Sequence, residues 1–289
     1  MHSAISSRPE YVREQVKEHD FGVVSVPLKR WERFYGQSAV RKIFILMVLA
    51  GIWQAYAIYL DNTLLLPTFT DTLRKFGELI VTGELPRKAW NSIKVLVQGY
   101  LAGVGLALGL TVLAVTSRIG NDLLETLTSM FNPLPAIALL PLALIWFGLG
   151  TPSLVFVLIH AVLWPVALNT HSGFLGVSST LRMVGRNYGL RGLPYVARIL
   201  ALAAFPSILS GLKIGWAFAW RTLIAAELVF GATSGSGGLG WFIYENKNLL
   251  DIPAVFSGLF TVILIGLLVE NLIFRKIEQC TVRRWGMQA

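Results

Sequence analysis

From Val255 to Phe274 the chain carries one charged side chain, Glu270, within an almost unbroken apolar run. About 20 apolar residues in a helix cross a hydrocarbon core ~30 Å thick. Five more stretches share this character: Ile43–Leu60, Ile93–Val115, Leu127–Phe147, Leu154–Leu168 and Pro206–Phe230. The third contains Pro133, Pro135 and Pro141, which bend a helix and free backbone carbonyls for neighbours. The fourth is short for a crossing unless it extends at both ends. Of the 289 residues 54% are hydrophobic and 14% charged, against roughly 25% charged in soluble domains. A mean hydropathy of +0.62 agrees. Lipid leaves backbone polar groups no water to bond, so continuous apolar runs of this length become helices. The chain is expected to be an all-α polytopic membrane protein with about six transmembrane helices.

The net charge of +9 could suggest nucleic acid. In a membrane chain, however, Lys and Arg mark cytoplasmic loops, so no nucleic-acid partner is expected. Basic residues crowd three segments: 1–42, the loop at 169–198 and the residues after Phe274. They thin out in the segments between. Both termini are therefore expected in the cytoplasm. The division is a cytoplasmic N-terminal arm (1–42), a transmembrane domain (43–274) with a cytoplasmic loop at about 176–200, and a cytoplasmic tail (275–289). The arm has no short apolar run with a small-residue cleavage site, so it does not read as a secretory signal. The lone Cys280 excludes an intrachain disulfide and a CxxC metal site.

Outside the spans, Leu66–Leu85 sets Leu73, Phe76, Leu79 and Ile80 at helical spacing, with Asp71, Arg74, Lys75 and Glu78 around them. This predicts a short helix along the membrane surface. Gly231–Leu239 reads as a flexible connector. Gly99, Gly103, Gly105 and Gly109 form two GxxxG pairs in the second span, and Gly211 and Gly215 a third pair. Small residues let helix backbones approach closely. Intrachain packing is the simpler use of these pairs, and a dimer seam is the alternative.

Charged groups within spans are costly and face protein or water. Lys213, Arg221 and Glu227 lie in or at the edges of the fifth span. Lys213 is expected to snorkel to the cytoplasmic interface. Arg221, beside Trp220, has two readings: it lines a translocation cavity and favours an anionic solute through paired hydrogen bonds, or it pairs with a carboxylate such as Glu270. His160 reads as a packed or cavity-lining residue rather than a proton relay. Trp220, Arg221, Glu227 and His160 are the candidates for the path or its gate. Trp164 and Trp241 are expected to anchor span ends.

The segment Met183 to Pro206 is a polar interruption bearing Arg186, Arg191 and Arg198. Gly189 can take a left-handed conformation that ends one short helix and turns into another. On charge alone the segment is an ordinary positive loop. It resembles, however, the cytoplasmic EAA loop of ABC-importer permeases of the nitrate/sulfonate/taurine branch. Gly189 takes the glycine position of that loop and Pro206 the start of the following helix. Met183, Val184 and Gly185 replace the usual Glu-Ala-Ala, and Leu202 stands where an earlier proline is usual. The resemblance extends to Asn132–Gly150, to Gly211–Leu228 with Arg221 interrupting, and to Gly238-Leu239-Gly240.

The resemblance implies a type I ABC importer permease fold and a homodimer in the bacterial inner membrane. It also implies separate ABC ATPase subunits, with ATP and Mg bound there and no cofactor or metal in this chain. A periplasmic or extracytoplasmic binding protein would deliver a small anionic solute: a sulfonate, a carboxylate or a nitrate-like ion. The ATPase would grip Met183, Val184, Gly185, Arg186, Asn187, Tyr188, Gly189, Leu190 and Arg191. In the Ala-Ala-Glu motif of the branch, Glu227 reads as a gate or packing anchor bonded to the Gly-rich connector. The sequence contains no Gly-Lys pair and hence no GxxxxGK[ST] phosphate loop, so any ATP hydrolysis of that kind belongs to a partner. A secondary transporter is the alternative; it would need coupling-ion residues and usually internal repeats, and no repeat is evident. The absence of HExxH and GxSxG argues against a membrane enzyme.

Overall fold

The computed structural model describes residues 38–230 and 237–284. The N-terminal arm up to residue 37, residues 231–236 of the expected connector and residues 285–289 of the tail lie outside the described residues. The elements in order are α1 (Ser38–Leu60), α2 (Phe69–Val81), α3 (Glu84–Thr116), α4 (Arg118–Phe131) and α5 (Leu140–Phe147). There follow α6 (Thr151–Leu175), α7 (Ser179–Asn187), α8 (Gly192–Ala203), α9 (Phe205–Phe230), α10 (Leu239–Asn248) and α11 (Ile252–Arg283). No strand occurs among the described residues. Four helices are long and apolar enough to cross a membrane, or up to six if each of two sharply bent pairs is one span.

Two compact units divide the chain after Gly51. The described part of the first is the start of α1, where Ile43, Phe44, Ile45 and Leu46 are all exposed. An uncovered apolar helix of this kind suits lipid contact.

In the second unit α6 is the axis of packing, with 61% of its most apolar window buried. Its neighbours reach it through stripes of small residues. On α3, Gly99, Gly103, Ala107 and Thr111 recur one turn apart and are buried, and the two glycines meet α6: a Cβ at Gly103 would stand 2.8 Å from Cβ of Val162. On α9, a Cβ at Gly211 would stand 2.8 Å from Cβ of Asn169, and one at Gly215 3.1 Å from Cγ2 of Val166. Lipid tails are as apolar as leucine, so close backbone approach and dispersion hold these helices together. Gly99–Gly103 and Gly211–Gly215 are therefore intrachain seams. Gly105 and Gly109 have nothing within 4 Å of a built Cβ.

The span expected at Leu154–Leu168 extends at both ends. Pro152 opens α6 in its first turn, where a missing N–H costs nothing. At the far end the Arg182 guanidinium bonds the carbonyls of Phe174 (2.5 Å) and Val177 (3.0 Å), holding the last turn. The expected third span departs further from the sequence reading. Ser117 caps α4 through Gly120 N–H (2.9 Å), so that helix begins at Arg118, and it meets the segment Ala136–Phe147 at 88°. Pro133 and Pro135 deny two backbone donors to the chain between them, which breaks the helix rather than curving it.

The helix expected within Leu66–Leu85 forms as α2. Leu79 is buried while Leu73 and Ile80 remain about half exposed. Lys75 reaches Asp251 at 2.7 Å, and Asp251 also caps α11 through Ala254 N–H. The Lys213 ammonium pairs with Glu278 of α11 at 2.5 Å. Trp164 is no interface anchor; α6 carries it into the core, where it is 8% exposed.

Candidate functional site

Three places bring the candidate residues together. In the first, Ser178 opens α7 by accepting from Leu181 N–H, and the helix ends in a Schellman turn. Leu190 N–H bonds Gly185 O at 3.1 Å and Gly189 N–H bonds Arg186 O at 2.9 Å, with Gly189 at φ 74°. Glycine takes that angle at no steric cost, and most residues with a Cβ do not. Gly185 is buried where α7 crosses α8: a Cβ there would lie 2.9 Å from Ile199 Cγ1 and 3.0 Å from the Tyr195 ring. The turn exposes Met183, Val184, Arg186, Asn187, Tyr188 and Arg191, with Leu190 half-buried. Tyr188 at 82% and Leu193 at 68% exposure are large apolar faces on a polar segment. Arg182 is spent on the end of α6, so it is structural. From α8 the chain turns 81° into α9.

The second place is a cavity of about 270 Å³ among the α4–α5 break, α6 and α9. Arg221 and His160 both line it, together with Asn132, Trp164 and Thr222. His160 and Trp164 stand one turn apart on α6, as Phe218 and Thr222 do on α9. The Arg221 guanidinium lies 5.4 Å from the Phe218 ring and its Nε bonds Ala217 O at 3.1 Å. No carboxylate lies within ion-pair distance of it among the described residues, so the pair with Glu270 does not form. Trp220 turns the other way: it is 6% exposed, and its indole N–H donates to Val262 O on α11 at 3.3 Å. It packs two helices and does not line the cavity.

The third place is a buried knot around Glu227, which is also absent from the cavity wall. Ser92 Oγ of α3 lies 2.9 and 2.8 Å from its two carboxyl oxygens, and Gly240 N–H donates to Oε2 at 2.9 Å. Leu239 N–H donates to Ser92 Oγ at 2.8 Å. Glu227 thereby supplies the first turn of α10 with a cap from another helix, which Gly238 lacks a side chain to provide. Gly238 and Gly240 leave room for this approach. The bond from Glu227 goes to Gly240, one residue past the Gly-rich connector Gly231–Leu239 to which it was expected. Ser92 escaped the sequence reading because one serine in an apolar run gives no periodic signal. Asn132, Phe131 and Trp164 escaped it because their meeting depends on the 88° break.

Residues 99–277 match the family model described as binding-protein-dependent transport system inner membrane component. Over 239 residues the chain is 32% identical to an ABC transporter permease protein of Methanocaldococcus jannaschii, covering 81% of this chain and 88% of that one. It is 28% identical over 254 residues to an Escherichia coli protein described as an aliphatic sulfonates transport permease, covering 86% and 91%. It is 34% identical over 172 residues to a nitrate import permease protein of Synechocystis, covering 60% of each chain.

Proposed function

The chain belongs to the family of binding-protein-dependent transport system inner membrane components, and on that premise we propose that it forms the path for a small anion in an ATP-driven importer. Two copies pair in the inner membrane with both termini in the cytoplasm. A binding protein delivers the solute from outside, and separate ATPase chains bind and hydrolyse ATP with Mg. The solute is a sulfonate, a carboxylate or a nitrate-like ion. The sulfonate and nitrate permeases among the relatives support that class, as does an unpaired Arg221 on the cavity wall.

The observation that carries the coupling role is the rigid turn at Gly189. It sets Met183, Val184, Tyr188 and Leu193 out as an apolar surface on a polar segment. Exposed apolar side chains that lipid does not cover mark a protein contact. Arg182 fastens one end of this segment to α6, and α8 leads from the other end into α9, so a push on the turn reaches both. Gly185 in place of a larger residue lets α7 lie close on α8, and the grip rests on the apolar faces without a glutamate.

The test is purification of the complex with its neighbours. A separate ATPase is expected to copurify, and Gly189→Ala is expected to weaken its retention and uncouple hydrolysis from uptake. Uptake driven by this chain alone, with no ATPase present, overturns the reading.

A further inference from the structure

The cavity holds a group of polar atoms that the fold leaves unused. Neither ring nitrogen of His160 nor Nε1 of Trp164 has a hydrogen-bond partner among the described residues, although these atoms are buried and Trp164 is 8% exposed. Native structures rarely strand buried donors, and those that remain call for a ligand or a second state. Both belong to side chains of the wall that also carries Arg221 and Asn132, and that wall contains no carboxylate. Arg and Trp side chains can only donate. A site of this make-up is matched by an acceptor with negative charge. At about 270 Å³ the cavity lies at the small end of ligand pockets, which suits a solute of a few heavy atoms.

Phe131 packs against both the His160 and the Trp164 rings. Its ring stacks on Trp164 (centroids 5.6 Å apart, planes 8° apart) and meets His160 edge-on at 6.2 Å. Phe131 is also the last residue of α4, immediately before the 88° break. A swing of α4 against α5 therefore moves this ring before it moves anything in α6.

We propose that His160, Trp164 and Arg221 form an oxyanion subsite for the transported solute and that Phe131 is its cover, withdrawn by motion at the α4–α5 break. The subsite rests on the anion-import reading and extends it. With Phe131 in place Arg221 is the chief open donor, and the anion is held weakly. With Phe131 withdrawn the imidazole and indole join it, and the anion is held more tightly.

The chain's single cysteine, Cys280, allows a clean test. In the complete complex in nanodiscs, Cys280→Ser with Thr222→Cys places one thiol on the cavity wall, and its alkylation by a neutral maleimide is timed. Ethanesulfonate, propionate and nitrate are the probes, and uptake of each by the wild-type complex is measured alongside. At least one anion that is imported is expected to slow alkylation several-fold. Trp164→Phe, which keeps an aromatic ring beside Phe131 and loses the N–H together with one ring of the indole, is expected to raise the protecting concentration about tenfold, the worth of a bond to a charged group. His160→Phe is expected to act likewise, and Phe131→Ala to lower that concentration. Import with no protection, or protection unchanged in both Trp164→Phe and His160→Phe, overturns the subsite and leaves the import reading standing. Failure of the wild-type complex to import any of the three anions overturns the import reading itself.

Discussion

Removing the Glu227 carboxyl tests whether the buried knot joins three helices or merely fills space. Glu227 is 4% exposed and Ser92 0%, so neither can turn to water when its partner is lost. Glu227→Ala strands the Gly240 N–H and the Ser92 hydroxyl, each at about 1–3 kcal/mol, so a loss of about 3–5 kcal/mol is expected. Ser92→Ala strands Leu239 N–H and removes one bond to the carboxyl, for about 2–4 kcal/mol. The two changes share the Ser92–Glu227 bond at 2.8–2.9 Å. The double variant should therefore be about 1.5–3 kcal/mol more stable than the sum of the singles predicts. Glu227→Gln keeps an oxygen for Gly240 and offers an amide N–H to Ser92, so it should cost only about 1 kcal/mol. Equilibrium unfolding in mixed dodecylmaltoside–SDS micelles, followed by far-UV circular dichroism, measures all four variants. Additivity of the two alanine changes to within about 0.5 kcal/mol would refute the knot as a shared network.

Gly189→Ala meets no atom within 4 Å, so its cost is the left-handed backbone alone, about 1–2 kcal/mol. Asn at 189 should recover most of the ATPase retention in a pull-down, because asparagine tolerates that conformation. Gly103→Leu should abolish the yield of folded protein in size-exclusion chromatography, since Val162 already fills the space a Cβ would take. Gly105→Leu, with open space around it, should leave that yield unchanged. Glu278→Gln should lower thermal stability by about 1–2 kcal/mol and more than Lys213→Met does, because it leaves the Lys213 ammonium alone between helices whereas Glu278 without Lys213 keeps Arg283 at 3.8 Å; the double variant should lose less than Glu278→Gln. Melting of the three variants in detergent checks the order.

Much of the fold was legible because apolar runs of membrane length have few other structures open to them. Six such runs became four helices long enough to cross and two sharply bent pairs. Gly189 was legible for a local reason: a polar segment with a glycine between two short periodic stretches calls for a left-handed turn, and five neighbouring residues settle its hydrogen bonds. The angle at Pro133–Pro135 was not legible. A proline announces a lost donor, but how far the chain then turns is set by what Phe131 and Ala136 pack against. The true end of α6 depends on Arg182, eight residues beyond Phe174.

Charged residues in the spans were legible as costly, yet their partners were not, because those partners lie far along the chain. Lys213 and Glu278 are 65 residues apart, and Ser92 and Glu227 are 135 apart. The cost that made each charge conspicuous says only that something must answer it. Packing decides what. Arg221 shows the other outcome: α9 turns it to the cavity and no carboxylate reaches it among the described residues, which on the proposed reading leaves its charge for the passing anion. On that physics Arg221→Gln should lower the rate of anion uptake about tenfold at saturating binding protein, while stability in detergent stays within about 0.5 kcal/mol of the parent. An unchanged uptake rate with an unchanged preference among sulfonate, carboxylate and nitrate would remove Arg221 from the path, because a guanidinium that touches a passing anion cannot be neutralised without consequence.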